Sequence, residues 1–181
     1  MSPNRAWRPA GVARLTRTLG LAIAAMLSSH ATRAEYYRIG LQTGLLTQED
    51  ARAWAMSVIE RLAEPPAEII EISWSRTQQR LEENLRSVAG ERDKRQAGDW
   101  LLGLLRETHF AAKADLTWCA RKAQHVARAA EMSEDVYYEF DGLEDEIFMA
   151  KNNPGSDLEA CRHFMGVALA DYPSPPSPSE A

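Results

Sequence analysis

Ser133-Glu-Asp-Val-Tyr-Tyr-Glu-Phe-Asp-Gly-Leu-Glu-Asp-Glu-Ile-Phe-Met-Ala-Lys151 is the stretch on which the fold turns. Val136, Phe140, Leu143 and Ile147 recur at spacings of four, three and four, which places them on one face of a helix and turns that face to a core. Glu134, Tyr138, Asp141 and Asp145 repeat the same spacing on the opposite face, flanked by Tyr137 and Phe148. Gly142 is a candidate break after Asp141. Just upstream, Leu116, Cys119, Ala120, Ala123, Ala127 and Ala130 form a second helical stripe, rich in small residues that permit close packing.

The same period extends outward in both directions. Toward the N-terminus, Glu91 to Ala112 reads as a helix burying Ala97, Trp100, Leu101, Leu104, Leu105 and Thr108. Leu81, Leu85 and Val88 belong to a shorter helix, with Ser75 and Gln78 as a capping box and Gly90 as its stop. Pro66 to Trp74 fits either a strand through Ile69, Ile70 and Ile72 or a short helix opened by Pro66, which favours the helix. Ala51, Trp54, Ala55, Val58 and Leu62 line a helix capped by Thr47 with Asp50 and ended by Pro65-Pro66. Glu35 to Leu45 is a first short amphipathic piece. Toward the C-terminus, Ser156 caps a last helix that buries Leu158, Cys161, Met165, Ala168 and Leu169. The expected fold is all-α, a single-domain bundle of about eight helices.

Composition sets the limits of that domain. Residues 1–34 hold five arginines and no acid, around the apolar run Leu19 to Leu27. This resembles a secretory signal peptide, and equally a translation start placed upstream of the natural one near Met26. The first reading implies a periplasmic or secreted protein, the second a cytoplasmic one. Residues 35–172 then form the domain, and Pro173 to Ala181 is a Pro/Ser tail expected to be disordered.

From Glu35 onward the chain carries 26 acids against 16 bases. Eight of those acids lie between Ala129 and Ala150, a window with no lysine or arginine. Such an excess repels phosphates and anionic headgroups, which argues against nucleic acid and membrane surfaces as partners. No run approaches the ~18 apolar residues of a membrane span.

Chemistry-bearing motifs are sparse, and no catalytic residue stands out. No Cys-x-x-Cys, Gly-rich phosphate loop, nucleophile elbow or His-Glu-x-x-His occurs. Cys119 and His125 are six residues apart and Cys161 and His163 two, spacings that point them to different helix faces and not at a shared zinc ion. Both cysteines sit on apolar stripes as small hydrophobes. His109 has no triad around it in sequence. Glu131-x-x-Glu134 supplies one of the paired motifs with which all-α nucleotide pyrophosphatases hold Mg²⁺. The second pair is missing, and a single row of acids does not surround an octahedral ion. No metal or cofactor is therefore expected, although an all-α carboxylate–metal hydrolase and an exported helical protein of structural role remain the alternatives.

The expectation is an acidic helical protein-binding module. Glu134, Tyr137, Tyr138, Asp141, Asp145 and Phe148 are the candidate contact residues, because tyrosine gives a large anchor with little entropy to lose and carboxylates steer a basic partner. An inhibitor of immunity or antitoxin type, covering the basic site of a nuclease-like partner, is the most concrete form.

Overall fold

A computed structural model describes residues 29–153 and 157–177 of the 181-residue chain. Those residues form an all-α bundle. Helix α1 covers 29–43, followed by α2 (Gln48–Arg61), α3 (Ala67–Trp74), α4 (Gln78–Ser87) and α5 (Lys94–Leu104). Helix α5 runs on as a π-helical stretch, Leu105–Phe110, before α6 (Leu116–Ala129), α7 (Glu134–Asn152) and α8 (Leu158–Ala170). The ambiguous Pro66 to Trp74 segment is helical, with Pro66 at the N-cap.

Helix α1 is buried on nearly all sides, as expected of the central helix of a bundle. Ala31, Ala34, Ile39 and Leu41 belong to the common core. Tyr37 stacks on the fully buried Trp54 of α2, ring centroids 5.1 Å apart. The expected division at Glu35 therefore falls inside a helix, and residues 30–34 are buried with the rest of it. Residues 1–28, to which the signal-peptide and late-start readings apply, lie outside the described residues.

Burying α1 also buries charge. Glu35, almost fully enclosed, accepts from Arg38 Nη2 at 2.5 Å and lies 3.5 Å from Arg92 Nη1. Burial works to raise the Glu35 carboxyl, but the bond and charge of Arg38, with the charges of Arg92 and Lys94, hold it below the usual carboxylate value. Arg92 also donates to the carbonyls of Leu85 and Val88 at the end of α4, where a cation complements the helix dipole.

Three helices end in the same way. At each, a residue with positive φ lets its own N–H and the next one bond back to the last turn, the Schellman arrangement. Gly44 (φ 68°) closes α1, with Leu45 N–H donating to the Gly40 carbonyl at 2.9 Å. Lys113 (φ 58°) closes the π-helical stretch, with Ala114 N–H donating to His109. Glu131 (φ 52°) closes α6, with Met132 N–H donating to Ala127. Neither Lys113 nor Glu131 is a glycine, so their role was not readable from composition.

Other boundaries differ locally from expectation. The Thr47–Asp50 capping box is formed. The box expected at Ser75 is not: Thr77 caps α4, while the Ser75 hydroxyl is turned inward to Glu71 and Asn84. Ser133 stands at the N-cap of α7 without a side-chain bond, and Asp157 caps α8. The Ser156 cap expected for that helix lies outside the described residues. Helix α7 runs unbroken through Gly142. In α5, Ala97, Leu101 and Leu105 are buried as expected, but Trp100 is only half-buried, edge-on to Tyr36, and Thr108 is exposed. The π-helical turn explains Thr108, because its wider turn rotates later side chains off the face that an α-helical period assigns them. Leu158, expected in the core, is 39% exposed at the start of α8.

The C-terminal segment crosses back over the bundle. Arg106 Nη1 gathers the carbonyls of Leu169, Ala170 and Tyr172, at 3.3, 2.9 and 2.6 Å, and so caps α8. Residues 173–177 have no regular secondary structure. They lie against α5 and α1 nonetheless: the Pro173 carbonyl touches Gly103, Ser174 bonds Glu107, and Arg33 Nη1 donates to the Ser177 carbonyl at 3.1 Å. The rest of the expected disordered tail, 178–181, lies outside the described residues.

Candidate functional site

The tight end of α6 at Glu131 and the short connection to Ser133 make α6 and α7 antiparallel neighbours. Residues equally far from that connection then face each other. Gln124 Nε2 reaches Glu144 Oε2 at 2.7 Å, Arg121 Nε reaches Glu144 Oε1 at 2.7 Å, and Lys151 Nζ reaches Asp115 Oδ2 at 2.7 Å. Phe140, Leu143 and Ile147 are buried beneath this seam, as the sequence period requires, and α8 packs on the other flank of α7.

This geometry divides the six expected contact residues into two groups. Tyr137 and Asp141 belong to the seam. Arg128 Nη2 donates to the Tyr137 hydroxyl at 2.7 Å with its guanidinium 4.2 Å from the ring centroid, and that hydroxyl donates to Asp141 Oδ1 at 3.3 Å. Burial raises the Tyr137 hydroxyl above its ordinary value; Arg128 pulls it down and Asp141 pushes it up. Both side chains are half-buried.

Glu134, Tyr138, Asp145 and Phe148 stand outside the seam. Tyr138 is 61% exposed and Phe148 62%, and Met149, next to Phe148, is 56% exposed. The Tyr138 ring meets Tyr137 edge-on, centroids 5.4 Å apart. Glu134, Glu139 and Asp145 have no ion-pair partner among the described residues, whereas Glu144 and Glu131 are paired with Arg121 and Lys94. A hollow of about 250 Å³ lies between the end of α6 and the start of α7, lined by Ala127, Arg128, Glu131, Met132, Glu134, Tyr137 and Tyr138. The outer face of α7 thus combines large exposed side chains with uncompensated negative charge.

Sequence reasoning gave Arg128 no role and missed its place against Tyr137. The signal was the short connection, which puts residue 128 opposite residue 137 once both helices are accepted.

No gathering of three or more His, Cys, Asp or Glu side chains able to hold a metal occurs among the described residues. Glu131, one half of the Glu-x-x-Glu pair, is engaged by Lys94 Nζ at 2.5 Å. Cys119 and Cys161 are free and buried, and burial pushes the Cys119 thiol up to about 11. His109 lies against Trp118, centroids 4.8 Å apart, with its pKa lowered by burial and by Lys122. No helix among the described residues is long and apolar enough to cross a membrane. No protein-family model, curated protein or solved structure matches the chain.

Proposed function

We propose that this protein is an acidic helical protein-binding module and that the outer face of α7 receives a basic partner. The observation that carries this reading is the contrast across α7. On the seam Glu144 is paired with Arg121 of α6, while Glu134, Glu139 and Asp145 around the exposed Tyr138 have no ion-pair partner among the described residues. Uncompensated carboxylates raise the local concentration of a cationic surface and speed its encounter. Tyr138 and Phe148 supply area that gains free energy only when a partner excludes water from it. An inhibitor of immunity or antitoxin type, laid over the basic site of a nuclease-like protein, is the form that matches this chemistry most concretely.

The test compares partners captured from native lysate by the wild-type chain, Tyr138→Ala and Asp145→Lys, followed by binding kinetics at several salt concentrations. The expected partner is basic and associates more slowly as salt rises. Tyr138→Ala weakens it by about 2 kcal/mol, and Asp145→Lys acts mainly on the association rate. A partner that binds both variants like the wild type, at low and high salt alike, overturns the assignment of this face.

A further inference from the structure

The groove that holds residues 173–177 has a chemistry of its own. Pro173-Ser-Pro-Pro-Ser177 is a stretch that proline makes extended: each ring fixes φ near −65°, and a residue before proline is pushed out of the helical region. Such a strand loses little entropy on docking. Its prolines carry no N–H, so it presents mainly carbonyls. A surface that recognises it needs side-chain donors aimed at carbonyls and a place where backbone can come close.

Both are present. Arg33, buried in α1, donates to the Ser177 carbonyl, and Arg106 donates to that of Tyr172. Glu107 accepts from the Ser174 hydroxyl. Gly103 provides the close approach, since a methyl group there would overlap the Pro173 carbonyl. Arg106 and Glu107 lie in the π-helical stretch, and such stretches in helices recur at functional sites.

We propose that Arg33, Gly103, Arg106 and Glu107 form a docking groove for an extended proline-rich segment, filled at rest by the chain's own residues 173–177 and available to a proline-rich segment of another protein when that strap leaves. Two features make exchange feasible. Three of the four contacts go to main-chain carbonyls, which any extended proline-rich strand offers. The strap has no regular secondary structure of its own, so its departure breaks no helix. This surface is separate from the α7 face and does not depend on the binding role proposed there.

The test uses the full chain carrying Ser177→Cys, which keeps the carbonyl that Arg33 binds. Cys119 and Cys161 are buried, so reaction with a thiol reagent reports the thiol introduced at position 177. The probe is a synthetic peptide with the sequence of residues 171–181, and its control has glycine in place of every proline. The labelling rate is expected to rise severalfold and saturably with the proline peptide and not with the control. Gly103→Ala is expected to raise the basal rate about tenfold and abolish the response to peptide. Circular dichroism checks the fold, and Arg106→Gln is the second variant should Gly103→Ala not fold. A basal rate unchanged by the groove variants overturns the groove. A basal rate raised by them, without any response of the parent chain to peptide, overturns the exchange with a partner.

Discussion

The Arg128 guanidinium lies over the Tyr137 ring, 4.2 Å from its centroid, and donates to its hydroxyl at 2.7 Å. One cation thereby contacts both the face and the edge of a single aromatic side chain. The contact ties the last turn of α6 to the first turn of α7 and fixes where the neighbouring Tyr138 projects.

That arrangement has a spectroscopic consequence. Tyr137 titrates above an ordinary tyrosine, through burial first, with Arg128 opposing and Asp141 reinforcing the shift. Arg128→Ala is expected to raise its pKa further and Asp141→Asn to lower it. NMR titration of the labelled ring carbon checks both signs.

Glu131 occupies a left-handed position that glycine adopts without strain. Glu131→Gly is expected to stabilise the protein by about 0.5–1 kcal/mol, because the relief of strain exceeds the loss of its exposed pair with Lys94. Chemical denaturation measures the change. A loss of stability would mean that the Lys94 pair matters more than the backbone conformation.

Glu35 links stability to acid. Its folded pKa lies below the reference value of 4.5, so its contribution is complete above pH 4.5 and is lost as the pH falls through the lower folded value. Glu35→Gln is expected to flatten that part of the stability–pH profile. At neutral pH it leaves Arg38 and Arg92 without their buried partner, at a cost of about 3 kcal/mol. Thermal unfolding between pH 3 and 7 tests both.

The start of α1 belongs to the core. Trimming the chain to begin at Glu35 removes Ala31 and the Thr32 hydroxyl that accepts from Asp93 N–H at 3.1 Å. A chain beginning at Ser29 is expected to exceed one beginning at Glu35 by about 2 kcal/mol or more, from lost burial and the lost bond. Equal stability would place the edge of the core after Ala34.

The stripes in α2, α6 and α7 were legible because apolar residues at helical spacing report burial directly, as Trp54, Ala123 and Ile147 show. Helix α1 was obscured by its own burial. His30, Arg33 and Glu35 are buried, Arg33 and Glu35 against partners as distant in sequence as Ser177 and Arg92, and a local window reads such residues as an exposed or cleavable segment. Thr108 was misplaced because a π-helical turn leaves no mark in the sequence. In the α7 site, the exposed Tyr138 and Phe148 followed from periodicity. The withdrawal of Tyr137 into the seam needed the position of Arg128 on a neighbouring helix.

The bond from Arg33 to the Ser177 carbonyl joins residues 144 positions apart. While translation proceeds, the last five described residues are still within the ribosome when the first helices emerge, and Arg33 has no such acceptor to meet. The contact therefore forms only after residue 177 has cleared the ribosome, long after α1 has emerged. A chain halted before Tyr172 leaves the ribosome with Arg106 lacking the carbonyl that anchors the crossing.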